Sequence, residues 1–285
     1  MKRLVYILMA TFSFLACEDV IEIETPSEPP RLSVDALIRI QDSSAITNIQ
    51  VKVRLTSSFF EPTPVANLEQ ITVTNLDAST DMAGNVMVLI EEEPGSGIYE
   101  KTVDNSLLTE GRLLLSINYE DDIYVARTEY VPTVPIASLA QGTETLFSGD
   151  ETEIIVSFND DAERDDFYIF DFDFNEYLVT EDEFYQGQTF EFSYFYDNEL
   201  NAGDEVAINI LGADEGFYNY MNQLIVQAGG DQGPFQTPSA TVRGNIINAS
   251  NIDNEEVFDN VGQPENFVLG YFAVVQQFSR TITIE

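Results

Sequence analysis

Between residues 48 and 55 the chain reads NIQVKVRL, with Ile49, Val51, Val53 and Leu55 on one side of an extended backbone and Gln50, Lys52 and Arg54 on the other. A period of two fits a half-buried strand and excludes a helix, which would scatter those four apolar residues around its circumference. The same habit runs through the first half of the chain. Residues 32–40 (LSVDALIRI) alternate in part, and further strands are expected at 71–76, 86–90, 97–103, 113–119 and 123–130. Turn residues separate them, among them Ala83-Gly84-Asn85, Pro94-Gly95-Ser96-Gly97, Glu110-Gly111 and Glu120-Asp121-Asp122. About seven short strands at this spacing predict a β-sandwich of immunoglobulin-like or prealbumin-like type over residues 31–132. The prolines of VPTVP, at Pro132 and Pro135, cannot donate to a ladder and mark its end.

A second β-rich domain is expected over 133–285. It opens with a strand at 153–158 and a polar loop at 159–166 (NDDAERDD). Residues 167–177 (FYIFDFDFNEY) then alternate, which puts Phe170, Phe172 and Phe174 on one face and Asp171, Asp173 and Asn175 on the other. Asp171 and Asp173 are weak candidates for metal ligation, because same-face neighbours on a strand stand nearly 7 Å apart, wide for shared ligation, and no DxDxDG-type loop accompanies them. A half-buried strand with a wet face explains them without a metal. Residues 189–196 (TFEFSYFY) alternate likewise and are expected to partner that strand, with their aromatics in the core. One helix is expected near 214–228. Asp214 caps it, Glu215 suits its positive end, and Phe217, Met221, Leu224, Ile225 and Ala228 fall on one face before Gly229-Gly230 ends it. Three tail strands are expected, at 244–249, 268–276 and 280–284.

Charge and composition narrow the chemistry. Twelve basic residues face 50 acidic ones, a net charge of −38, so nucleic acid and anionic lipid surfaces are repelled. Histidine is absent and there is one cysteine, which removes Ser-His-Asp and Cys-His catalysis, His-ligated zinc and any internal disulfide. Paired carboxylates hydrolyse glycosides in other proteins, but no particular pair stands out here, nor any nucleophile elbow, phosphate loop or metal motif. No catalytic residues and no cofactor are therefore expected.

The amino terminus carries its own signals. Lys2 and Arg3 precede an apolar run from Leu4 that is too short to span a bilayer and reads as a secretory signal peptide over 1–16. Its end, Leu15-Ala16-Cys17, resembles the lipobox of bacterial lipoproteins, which implies lipidation, palmitate included, at Cys17. Glu18 and Asp19 follow at once and resemble a surface-export tag. Residues 17–30 then form an acidic, Pro-rich tether.

The chain also resembles a family of bacterial outer-membrane lipoproteins, the domain of unknown function 4249. The shared features are the lipobox cysteine followed by acids, and a centre like Asp166-Phe167-Tyr168. The most specific are a late element, Pro234-Phe235, Pro238 and Gly244-Asn245-Ile246, followed by a closing Leu269-Gly270-Tyr271-Phe272. The resemblance implies a lipid-anchored outer-membrane protein facing the cell exterior that assists a TonB-dependent transporter barrel as partner or capturing lid. It names no catalytic residue and no ligand. An independent surface module that binds glycan or calcium is the alternative.

Overall fold

The computed structural model describes residues 29–58, 61–79, 84–146, 149–197, 200–228, 241–252, 260 and 267–285. The export segment, Cys17, Glu18, Asp19, Pro234, Phe235, Pro238 and Gly229-Gly230 lie outside the described residues.

The protein is mainly β, a sandwich followed by a second β-rich module with one packed helix. The first module holds β1 (Leu32–Ile40), β2 (Ile46–Leu55), β3 (Gln70–Asn75), β4 (Val86–Val88), β5 (Ile90–Glu91), β6 (Ile98–Asp104), β7 (Arg112–Tyr119) and β8 (Asp122–Val131). The second holds β9 (Ile136–Gln141), β10 (Thr152–Asn159), β11 (Phe167–Asp171), β12 (Tyr177–Glu181), β13 (Thr189–Tyr196), β14 (Glu205–Ala213) and the helix Glu215–Ala228. The short β15 (Ile247–Asn248) returns to pair with β8, and the long β16 (Leu269–Thr283) closes the chain.

The alternation seen in the sequence becomes the sandwich core. Val34, Ala36 and Ile38 of β1, Ile49, Val51 and Val53 of β2, and Leu113, Leu115 and Ile117 of β7 are buried together. Hydrogen-bonded order runs β4-β3-β7-β8-β16-β1-β2-β6-β5, and this path folds over so that both its halves face one core. The expected strand at 86–90 breaks into β4 and β5. Leu89 turns inward, and the chain passes from β3 on one half to β6 on the other.

β16 organises the rest. Its first half lies parallel to β1, from Ser33↔Leu269 to Ile40↔Gln276, and touches β8 at Val274↔Tyr130 and Val275↔Val131. Its second half runs antiparallel to β14 in the second module. The tail therefore forms one strand where two were expected, at 268–276 and 280–284, since both halves find ladder partners with no turn between them. One face of β16 serves both modules in turn: Phe272 and Val274 enter the first core, while Phe278 and Ile282 pack on the second. Of the strand expected at 244–249 only β15 remains, followed by a 3-10 turn at Ala249–Asn251.

The second core is aromatic. A three-stranded sheet, β13-β10-β9, faces β12-β11-β14 and the end of β16. Two expectations need correction here. The strand expected over 167–177 stops at Asp171. Asp173, Phe174 and Asn175 then take φ of 66°, 51° and 64°, and the chain reverses into β12. Phe174 consequently leaves the face of Phe170 and Phe172 and is 48% exposed. Residues 189–196 partner β10, not β11, from Thr152↔Tyr196 to Asn159↔Thr189. They meet β11 across the core instead. The Phe170 and Phe192 rings lie 5.1 Å apart edge to face, and those of Phe172 and Tyr194 stack at 3.7 Å. The aromatics are core, as expected, because face-to-face sheets interdigitate side chains rather than backbone bonds.

Candidate functional site

The outer face of β1 and β16 carries a concavity of about 530 Å³. Its floor follows from register and alternation. Val34, Ala36 and Ile38 point into the sandwich core, so Ser33, Asp35 and Leu37 point away from it. The parallel register sets Ser33 beside Leu269 and Asp35 beside Tyr271. Gly270 sits in this floor with φ 108°, and a Cβ there would overlap the Val34 carbonyl oxygen. Only glycine allows that approach.

The helix forms the wall. Asp214 caps it as expected: its Oδ1 accepts from the Phe217 N–H at 2.7 Å, and its carbonyl accepts from the Tyr218 N–H at 2.9 Å. Phe217 is buried, and Met221, Leu224 and Ile225 are half-buried, as the spacing predicts. Ala228, assigned to the same face, is exposed. Two further helix rings, outside the apolar face that the spacing predicts, also pack. Tyr218 meets Phe167 at 5.0 Å, and Tyr220 meets Tyr271 at 5.0 Å. Phe217 lies against the same Tyr271 at 5.1 Å, so Tyr271 is held between two helix rings. Tyr177, Thr241 and Val242 complete the lining.

Burial is the first cause that raises the Tyr177, Tyr220 and Tyr271 phenols above their ordinary range, and carboxylates reinforce it: Asp171 at Tyr177, Asp35 at Tyr220 and Asp214 at Tyr271. All three stay protonated at neutral pH. Leu, Val, Met and aromatic side chains thus present an apolar surface marked by neutral hydroxyls and one carboxylate, Asp35. This is a binding-type lining: concave, mostly apolar, with few polar groups, and within the ~300–1,000 Å³ typical of small-molecule sites.

The metal candidates fall elsewhere and are engaged. Asp171 pairs with Arg39 of β1 at 2.6 Å and accepts from the Asp173 N–H at 3.1 Å. Asp173 accepts from the Phe174 N–H at 2.9 Å in the left-handed turn. The turn separates the two carboxylates from the common strand face assigned to them. Among the described residues no group of three or more Asp, Glu, His or Cys side chains gathers in a metal-binding arrangement.

The motif residues have structural duties. The Tyr168 hydroxyl donates to Asp160 and to Asp166, the latter at 3.0 Å, and Arg164 donates to Asp166 at 2.9 Å. The Asp166 N–H in turn donates to Asp182 at 2.8 Å, so this acidic centre is a buried, internally bonded pin. The two late elements meet in space. Asn245 donates from Nδ2 to the Phe272 carbonyl at 2.8 Å and accepts at Oδ1 from the Phe272 N–H at 2.9 Å. Its side chain stands in for a neighbouring strand beside β16. A Cβ on Gly244 would overlap the Gly270 carbonyl oxygen, so Gly244 has to be a glycine for that approach. A second concavity, about 370 Å³, lies by Asn75 and Asp77. Asn75 there bonds the Leu107 and Glu110 carbonyls and the Asp77 and Ala78 N–H groups, which ties down the turn.

A family model described as a domain of unknown function, DUF4249, matches residues 18–281. No curated protein matches the chain.

Proposed function

The chain belongs to the DUF4249 family, and from that membership together with the cavity under the helix we propose a lipid-anchored, non-enzymatic surface protein. In this reading it captures a small ligand for a TonB-dependent outer-membrane transporter. The observation that carries it is the cavity itself, a concave apolar site built on rigid strands and walled by a packed helix. The sequence before it supplies a logical delivery system: a secretory signal, Cys17 as the lipid attachment point, Glu18 and Asp19 as an outward-sorting tag, and a Pro-rich spacer. An independent glycan or calcium module has no comparable support, since the cavity lining is apolar and Asp171 is engaged by Arg39.

The test is affinity purification of the full chain from its own membranes. A transporter barrel is expected to co-purify, and Cys17→Ser is expected to lose both acyl labelling and the barrel. Repeated recovery of the lipidated chain alone would overturn the transporter assignment. Protease shaving of intact cells is expected to cleave the chain, as an outward-facing protein requires.

A further inference from the structure

Resting on the reading of this cavity as a capture site, we propose that its ligand is a small organic cation with an apolar or aromatic body, an amine or quaternary ammonium compound. Three observations converge. No lysine or arginine lines the cavity among the described residues, so an anionic ligand finds no counter-charge there. The one carboxylate among the described lining residues, Asp35, is exposed and makes no hydrogen bond or ion pair with another described residue. Lys52 is its cross-strand partner on β2, but it lies outside the lining and forms no ion pair with it.

The third observation is the ring set. Asp35 stands beside Tyr271 in the register, and Phe217 and Tyr220 pack on Tyr271 at 5.1 and 5.0 Å. Tyr177 lines the same space. Tyr271 is covered by Phe217 and Tyr220, but Tyr177 and Tyr220 are themselves only half-buried; such rings beside a carboxylate attract a cation through the ring quadrupole, and the apolar lining accepts its body. The hydroxyls there stay neutral, so they do not compete as charges. At long range the net charge of −38 concentrates cations at the surface and repels anions.

Three compounds that share one body test this: 4-phenylbutylammonium, 4-phenylbutanol and 4-phenylbutyrate. They are titrated calorimetrically into the full chain held in phosphatidylcholine nanodiscs, with empty nanodiscs as the blank. The expected order of affinity is ammonium, then alcohol, then carboxylate. Asp35→Asn is expected to weaken the ammonium compound about two- to fivefold and leave the alcohol unchanged. Leu224→Trp fills the cavity and is expected to abolish binding of all three; Met221→Phe, which narrows it one turn away, is the second variant should the first fail to fold. Equal binding of ammonium and alcohol, preference for the carboxylate, or no binding at millimolar concentration overturns the ligand class. Binding untouched by both cavity variants overturns the site. A barrel that co-purifies with a chain lacking the cation preference removes the ligand class alone; a preference kept by a chain recovered without a barrel removes the transporter assignment alone.

Discussion

Asn245 bonds both backbone groups of Phe272 and extends Nδ2 to within 3.3 Å of the Arg127 carbonyl, at a place where β8 and β16 are not directly paired. One side chain thus bridges two strands. Asn245→Ala would leave the Phe272 N–H and C=O without partners and is expected to cost about 2–3 kcal/mol. Urea unfolding checks this; a change below about 0.5 kcal/mol would show that water replaces the amide. Gly270→Ala combines left-handed strain with overlap on Val34 and is expected to cost about 3 kcal/mol or more. These residues were legible as family motifs but not as a device. Nothing in their local sequence says that GNI and LGYF meet.

The turn after β3 is fastened by Arg112, whose side chain and N–H both reach Asp77, with the shortest contact 2.5 Å. The side-chain bond to Arg112, then its backbone N–H, holds the Asp77 carboxyl well below its ordinary range. A depressed folded value means that Asp77 contributes stability above its unfolded pKa, about 3.9, and loses that contribution as pH falls through the folded value. The stability gap between the wild type and Asp77→Asn is therefore expected to shrink as pH drops from about 5 to about 2. Unfolding curves across that range decide it; a constant gap would sink the idea. Added salt is expected to narrow the gap too, because the pair is exposed. Strands of the first module were readable because one of their faces is wet. β14 was harder to read: Val206, Ile208 and Ile210 alternate toward the aromatic core, but Leu211 and Ala213 pack toward the helix, so the alternation stops where both faces are buried. The reversal at 172–176 did have a signal. Asp173 and Asn175 are the residue types that tolerate left-handed backbone, but the Phe alternation masked them.

The whole molecule is tied together by β16. Neither module's ladder is complete without it, since its first half pairs with β1 and its second with β14. Arg39 of β1 adds a lateral tie to Asp171 of β11. Unfolding is therefore expected as one cooperative transition, with a single calorimetric endotherm and coincident spectroscopic probes. A fragment covering residues 29–135 is expected not to fold, because it lacks the strand between β8 and β1. Two well-separated endotherms, or a stable native-like fragment, would contradict this.

What the sequence by itself determined is local. Period-two alternation specified strands with one buried face, Asp214 and the following apolar spacing specified a helix, and the lack of histidine with one cysteine removed whole classes of chemistry. Only the tertiary structure decided which strands are neighbours, that 189–196 faces β11 rather than pairing with it, and that the tail threads both modules. It alone placed Asp35, Tyr177, Tyr220 and Tyr271 around one cavity. The physical reason is range: side-chain periodicity follows from backbone geometry over a few residues, whereas pairing between residues 33 and 269 depends on free-energy gains that exist only once the intervening chain has packed.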